Sequence, residues 1–312
     1  MNSTGEPGRM IEGRKPPLNI FLPLFLYPVI LILIACSSVD AADRPNIVVI
    51  MADEKSEITE QRTNQNGQRS REVSNHGSNI ALASKEELYL DRKLAFANPE
   101  VDNPNLPNVL LIGDSISIGY TAYVRRDLIG KADVYRIPTN AKNSAYGLEH
   151  LNDWLEMKSL KWDVIHFNWG LWDLCYRHPE SNVQGNRDKV NGTLTESLEG
   201  YRSNMKKIVA RLKQTDATLI WCTTTPVPAG EAGRKLGDDV KYNLVAAEIM
   251  KANKVRINDL HSHALLRLPE TMVREGDVHF TEEGYIHLGS KVAEEVSAAI
   301  AKRAADSRRE IE

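Results

Sequence analysis

From residue 108 onward, short apolar runs alternate with longer segments that read as helices, and this pattern constrains the chain more than any other. The runs cover residues 108–112, 133–137, 163–168, 218–222 and 255–257. The first, ending Val109-Leu110-Leu111-Ile112, has no polar alternation, which marks a strand covered on both faces. Helices are expected near 118–129, 145–157, 194–214, 237–252 and 282–303. Such alternation predicts an α/β fold with a parallel sheet of about five strands and helices on both faces. Ligands in such folds bind at the carboxyl ends of the strands. The polar residues directly after each run are therefore the ones that carry information.

After the first run comes Gly113-Asp114-Ser115. Gly113 permits a tight turn out of the strand, and Ser115 falls at the start of the next helix. Backbone N–H groups and the helix dipole there favour negative charge. A serine in this place is a candidate nucleophile and equally a helix cap, as is Asp114. Near the other end, Asp277-Val278-His279 lies in a loop before the last helix. A serine hydroxyl needs a base to take its proton and a carboxylate to orient that base. Ser115, His279 and Asp277 supply all three.

With both motifs in hand, the chain resembles the SGNH/GDSL hydrolases over roughly residues 107–303. Gly113-Asp114-Ser115 matches the first block of that family and Asp277-Val278-His279 its last. The resemblance implies a three-layer α/β/α sandwich with a flavodoxin-like sheet, no metal or cofactor, and esterase or deacylase activity, frequently on acetylated carbohydrates. Three departures stand out. The family usually has aspartate three residues before the histidine, and here that residue is Gly276. The glycine of the second block aligns with Lys142 in Asn140-Ala141-Lys142-Asn143-Ser144. The third block, Gly-x-Asn-Asp, becomes Gly170-Leu171-Trp172-Asp173. The expected oxyanion donors are the backbone N–H groups of Ser115 and Lys142 and an amide. Asn168 is preferred for the amide over the indole of Trp172.

Trp169, Trp172, Tyr176 and His178 follow the third strand. Aromatic rings at a cleft mouth suit stacking on sugars, and they suit packing under a loop equally well. The reading is an ester hydrolase working through an acyl-enzyme on a small-molecule or carbohydrate ester. A non-catalytic carbohydrate-binding protein and a sugar acyltransferase are the alternatives. The net charge of −3 gives no global field toward nucleic acid.

The start of the chain reads as an export signal. Arg9, Arg14 and Lys15 precede an uncharged apolar stretch at 20–35. Cleavage after Ala41, lipidation at Cys36 and an uncleaved anchor compete, so the expected location is periplasmic or secreted, with any membrane attachment through the N-terminus alone. The expected organisation is a signal or anchor at 1–41, a mostly disordered linker at 42–105, the hydrolase domain at 106–304 and a tail at 305–312. Within the linker, 85–97 has helical apolar spacing and is expected to dock on the domain. Residues 44–53 resemble the opening of the sulfatases, whose aspartate after the first strand binds calcium. No Cys- or Ser-x-Pro-x-Arg motif follows, so this reads as a fragment. Cys175 and Cys222 fall after strands expected to be neighbours. Two buried thiols are favoured over a bridge, and no Cys/His spacing fits zinc.

Overall fold

The computed structural model describes residues 92–100 and 102–311, all within one compact unit. The signal-like stretch, the sulfatase-like segment, Cys36 and residues 85–91 lie outside the described residues.

Five parallel strands form the sheet. They are β1 (Asn108–Ile112), β2 (Asp133–Arg136), β3 (Val164–Phe167), β6 (Thr218–Cys222) and β7 (Arg256–Asn258). Their order is β2-β1-β3-β6-β7. The chain moves outward from β1 to β2 and then crosses back to β3. The connections after β1 and β3 thus diverge and leave a crevice between the two strand ends. All five residues of β1 are buried, so both of its faces are covered, as its apolar run requires. Each expected strand is present to within a residue or two.

Helices flank the sheet in two groups. Helix α1 (Arg92–Phe96) packs on α2 (Ser115–Asp127), which packs on α7 (Glu282–Ile311), and α6 (Leu260–Leu265) lies along α7. In the other group α3 (Ser144–Leu155), α4 (Leu198–Leu212) and α5 (Asp238–Ala252) pack in succession. Local chemistry sets several helix starts. Asp114, Asn143 and Ser197 each accept a backbone N–H from the first turn of α2, α3 and α4.

Four features differ from the sequence reading. First, the packed domain begins earlier than 106. Ala95 is buried, and the Asn98 amide pairs with the backbone of Arg136 at the edge of β2, its Nδ2 donating to the carbonyl and its Oδ1 accepting from the N–H, both at 2.8 Å. Second, the polar loop after β3 contains a two-stranded antiparallel ribbon, β4 (Tyr176–Arg177) with β5 (Thr193–Leu194). Third, α6 is too short to show a period in sequence. Fourth, α7 runs through the expected tail to Ile311, where good helix formers and a Lys302–Asp306 pair at i,i+4 extend it. Cys175 and Cys222 are buried free thiols.

Candidate active site

Ser115 is the first residue of α2, directly beyond β1. Its backbone N–H has no acceptor within the helix, because the first N–H groups of any helix are unpaired. Asp114 caps the helix through Oδ1, which accepts the Ile116 N–H at 3.0 Å. Burial pushes the Asp114 carboxyl above its ordinary range, against the Ile116 N–H and the charges of Arg234, His279 and Arg136.

His279 arrives from the opposite end of the sequence. The Ser115 hydroxyl lies 2.9 Å from His279 Nε2, and His279 Nδ1 lies 2.7 Å from Asp277 Oδ1. The same carboxylate oxygen accepts the His279 backbone N–H at 3.1 Å, and Arg274 pairs with Oδ2 at 2.9 Å. Burial acts to raise the Asp277 carboxyl. The hydrogen bonds from His279 and the charges of His279 and Arg274 outweigh it, and the group is held below its ordinary value. Val278 and Phe280 are buried in the core on either side of His279, and the Val273 N–H donates to the His279 carbonyl. The imidazole is therefore fixed from both neighbours. Gly276 has φ +70°, and a Cβ there would meet the Gly230 carbonyl oxygen at 2.9 Å. A side chain at the family's usual aspartate position has no room, and Asp277 takes up the contact instead.

The structure brings Ser115, His279 and Asp277 together and corrects the donors expected around them. The Lys142 N–H donates to the Asn140 side chain at 2.8 Å, in a turn that puts Lys142 at φ +49°. Asn168 Nδ2 donates to the Cys222 carbonyl at 2.6 Å and to Thr224 Oγ1 at 3.3 Å. Both N–H groups are already paired within the protein, that of Lys142 inside its own turn and that of Asn168 with the segment that ends β6. Of the three, only the Ser115 N–H is uncommitted.

Of the two roles open to the aromatic residues, Trp169 takes the packing one. Trp169 is fully buried, donates its indole N–H to the Ala141 carbonyl at 3.2 Å and packs on Gly147 of α3. It is a core residue and not part of a sugar platform. Trp172 and Tyr176 are half-buried, and a cation covers a face of each. Arg177 lies 4.4 Å from the Trp172 ring centroid and Lys235 Nζ 4.2 Å from that of Tyr176. Thr223, Thr224 and Thr225 are buried at the end of β6.

Two further residues organise the site, Arg136, not singled out in the sequence, and Asp173 of the third block. Arg136 is fully buried at the end of β2. Its Nη2 donates to the carbonyls of Gly113 at 2.8 Å and Asp114 at 3.1 Å, and its Nη1 to those of Ile137 and Thr139. It holds the nucleophile turn from beneath. Burial lowers its pKa to about 10, so it stays charged at neutral pH. The signal was present: an arginine closing an apolar strand needs several acceptors. Asp173 is buried and accepts both the N–H and the hydroxyl of Ser144, which anchors the start of α3 to the loop after β3. Burial lifts its pKa to about 7. Among the described residues no cluster of three or more His, Cys, Asp or Glu is arranged to hold a metal ion.

A nucleophile turn on a five-stranded parallel sheet, with a histidine–carboxylate pair delivered by the loop before the last helix, defines an α/β serine-hydrolase architecture. The chain matches the GDSL-like lipase/acylhydrolase family over residues 111–286, more than half its length, and belongs to that family. Among solved structures, a lipase/acylhydrolase from Enterococcus faecalis is 19% identical, with 62% of this chain and 96% of that chain covered and a TM-score of 0.50. An acetylxylan esterase from Geobacillus stearothermophilus, solved as a catalytic mutant, is 15% identical over 64% of this chain and 96% of that chain, with a TM-score of 0.48. The first of these shares the fold. No curated protein matches the chain.

Proposed function

We propose that this protein is an exported carboxylic ester hydrolase that removes a short acyl group, acetyl in the first instance, from a carbohydrate. The observation that carries the chemistry is the continuous path from Ser115 Oγ to His279 Nε2 at 2.9 Å and from His279 Nδ1 to Asp277 at 2.7 Å. Ser115 Oγ attacks the ester carbonyl while His279 Nε2 takes its proton. Asp277 keeps the Nδ1 proton directed toward itself and stabilises the imidazolium. The tetrahedral intermediate collapses, and His279 returns the proton to the departing alkoxide. Water then gives a proton to His279 and attacks the acyl-enzyme, which releases the carboxylic acid and regenerates Ser115. The oxyanion receives the Ser115 N–H and the positive end of α2. Family membership supports the reaction class. The carbohydrate part of the reading rests on the family resemblance. Export rests on the N-terminal signal pattern, and the mass of the mature N-terminus tests it.

The commitment of Lys142 and Asn168 to loop contacts favours a second reading, a carbohydrate-binding protein on the same fold without turnover. Hydrolysis of 4-nitrophenyl acetate by the purified chain separates the two. Turnover is expected, and Ser115→Ala is expected to lower kcat by on the order of 10⁴-fold or more with the fold intact. Turnover that survives Ser115→Ala unchanged would show that the hydrolase reading is wrong.

A further inference from the structure

Arg136 is a fully buried cation whose four hydrogen bonds all go to backbone carbonyls. A buried guanidinium is costly to desolvate, and a carboxylate is its usual partner. Arg187 and Arg234 follow that pattern by sharing Glu231 at 2.7 and 2.9 Å. Arg136 directs its charge at peptide groups instead, and two of these form the turn that carries the nucleophile. Its Nη2 reaches the carbonyls of Gly113 at 2.8 Å and Asp114 at 3.1 Å.

The Asp114 carbonyl and the Ser115 N–H are the two ends of one peptide unit. That unit has a charged donor on its oxygen and, at its other end, the uncommitted N–H beside the Ser115 hydroxyl. The same carbonyl also accepts the Ile118 N–H of α2 at 3.0 Å. Donors on an amide oxygen draw electron density from the nitrogen and make its N–H a better donor. Hydrogen bonds chained in this way strengthen one another, most of all where water is excluded. Arg136 is sealed from solvent, and its Cζ lies 5.2 Å from the centroid of the Phe96 ring, which covers one face. The Gly113 carbonyl is held a second time, by the Ala141 N–H at 3.1 Å, so the turn is fixed from two sides. The Lys142 N–H and the Asn168 amide are already paired, which leaves the oxyanion dependent on the Ser115 N–H.

We propose that Arg136 is a positioning residue for ester hydrolysis: it fixes and polarises the Asp114–Ser115 peptide, so that the Ser115 N–H receives the oxyanion more strongly than an ordinary backbone donor would. This rests on the ester-hydrolase reading above and adds to it the group that stands behind the oxyanion donor.

The test uses the full chain, with 4-nitrophenyl acetate as substrate and methylboronic acid as the probe of the anionic tetrahedral state on Ser115. Outright loss of one oxyanion donor costs on the order of 10²–10³-fold in kcat, so weakening one is expected to cost about 10-fold. Arg136→Gln, which keeps a neutral donor, is expected to show that loss in kcat with KM within about 2-fold of wild type, and to bind methylboronic acid more weakly by a similar factor. Arg136→Lys keeps the charge without the fork, and is expected to recover kcat to within about 3-fold of wild type. An Arg136→Gln protein with a native melting curve and wild-type kcat overturns the proposal. So does a loss of kcat that leaves the boronate affinity unchanged or that lysine does not relieve. Both variants disturb a buried site, so a crystal structure of the wild type with a methylphosphonyl group on Ser115 supplies a measurement that needs neither. The phosphonyl oxygen is expected within about 3 Å of the Ser115 nitrogen, with Arg136 still on the Asp114 carbonyl. A phosphonyl oxygen bonded by the Lys142 N–H or the Asn168 amide in place of the Ser115 N–H overturns the proposal. Absence of 4-nitrophenyl acetate turnover by the wild type overturns the hydrolase reading instead, and the boronate and phosphonate measurements then judge Arg136 by themselves.

Discussion

At the scale of single residues, the turn through Gly276 decides which acid serves His279. The positive φ and the 2.9 Å approach of a Cβ to Gly230 leave no place for aspartate there. Gly276→Asp is thus expected to destabilise the protein by at least about 1–2 kcal/mol, seen as a lower melting temperature, and to leave Asp277 as the working acid. Asp277→Asn keeps the shape and loses the charge. It is expected to lower kcat on an aryl acetate by roughly 10⁴-fold with little change in KM, because it spoils the tautomer and the imidazolium, not binding. Trp169→Ala belongs to a different class. That ring fills a buried space against α3, so the change should cost about 3–5 kcal/mol of stability. Ser115, Asp277 and His279 were legible because each motif is local: a turn after an apolar strand, and an acid two residues from its histidine. The fates of Lys142 and Asn168 were not legible. Neighbouring Asn140 claims the first only once Lys142 adopts a left-handed conformation, and the second bonds to Cys222 and Thr224, more than fifty positions away.

Among the elements, β3 carries a buried titratable group that the mechanism does not use. His166 accepts a hydrogen bond from Asn258 Nδ2 at 3.2 Å, and burial lowers its pKa to about 4. Both states are neutral above the unfolded value near 6.5. As the pH falls from there toward 4, the unfolded chain takes up a proton that the folded one refuses, and stability drops. The loss approaches on the order of 3 kcal/mol below pH 4. Asp173 titrates in the opposite sense. Its folded value near 7 lies above that of the unfolded chain, so protonation below pH 7 stabilises the fold. The two partly cancel in the wild type. The contribution of His166 therefore appears as a difference: His166→Gln should be less sensitive to acid between pH 6.5 and 4 than the wild type in urea titrations. Identical pH slopes for the two proteins would exclude a neutral buried His166. Sequence showed a histidine inside an apolar strand; only the packing of β3 between β1 and β6 shows that it is sealed from water.

Over the whole molecule, the segment before β1 is part of the domain rather than a lead-in. Asn98 caps the open edge of β2, and its Oδ1 also accepts from Arg125 on α2. A chain beginning at residue 106 is expected to melt several degrees lower than one beginning near 80, and Asn98→Ala to account for about 1–3 kcal/mol of the difference. Equal melting temperatures would show that the edge needs no cover. Of the stretch 85–97 with apolar spacing, only Arg92–Phe96 is described, and it packs on α2; the polar anchor at Asn98 was not legible, because an asparagine before a proline looks like any other turn. Sequence alone determined the parallel α/β sheet, the family and the three residues of the nucleophile–base–acid path, since strand runs, turn glycines and short motifs are written in neighbouring positions. Tertiary structure alone decided which donors remain free and which aromatic rings are core. Hydrogen-bond commitments and burial depend on residues that meet only when the sheet and its helices close around them.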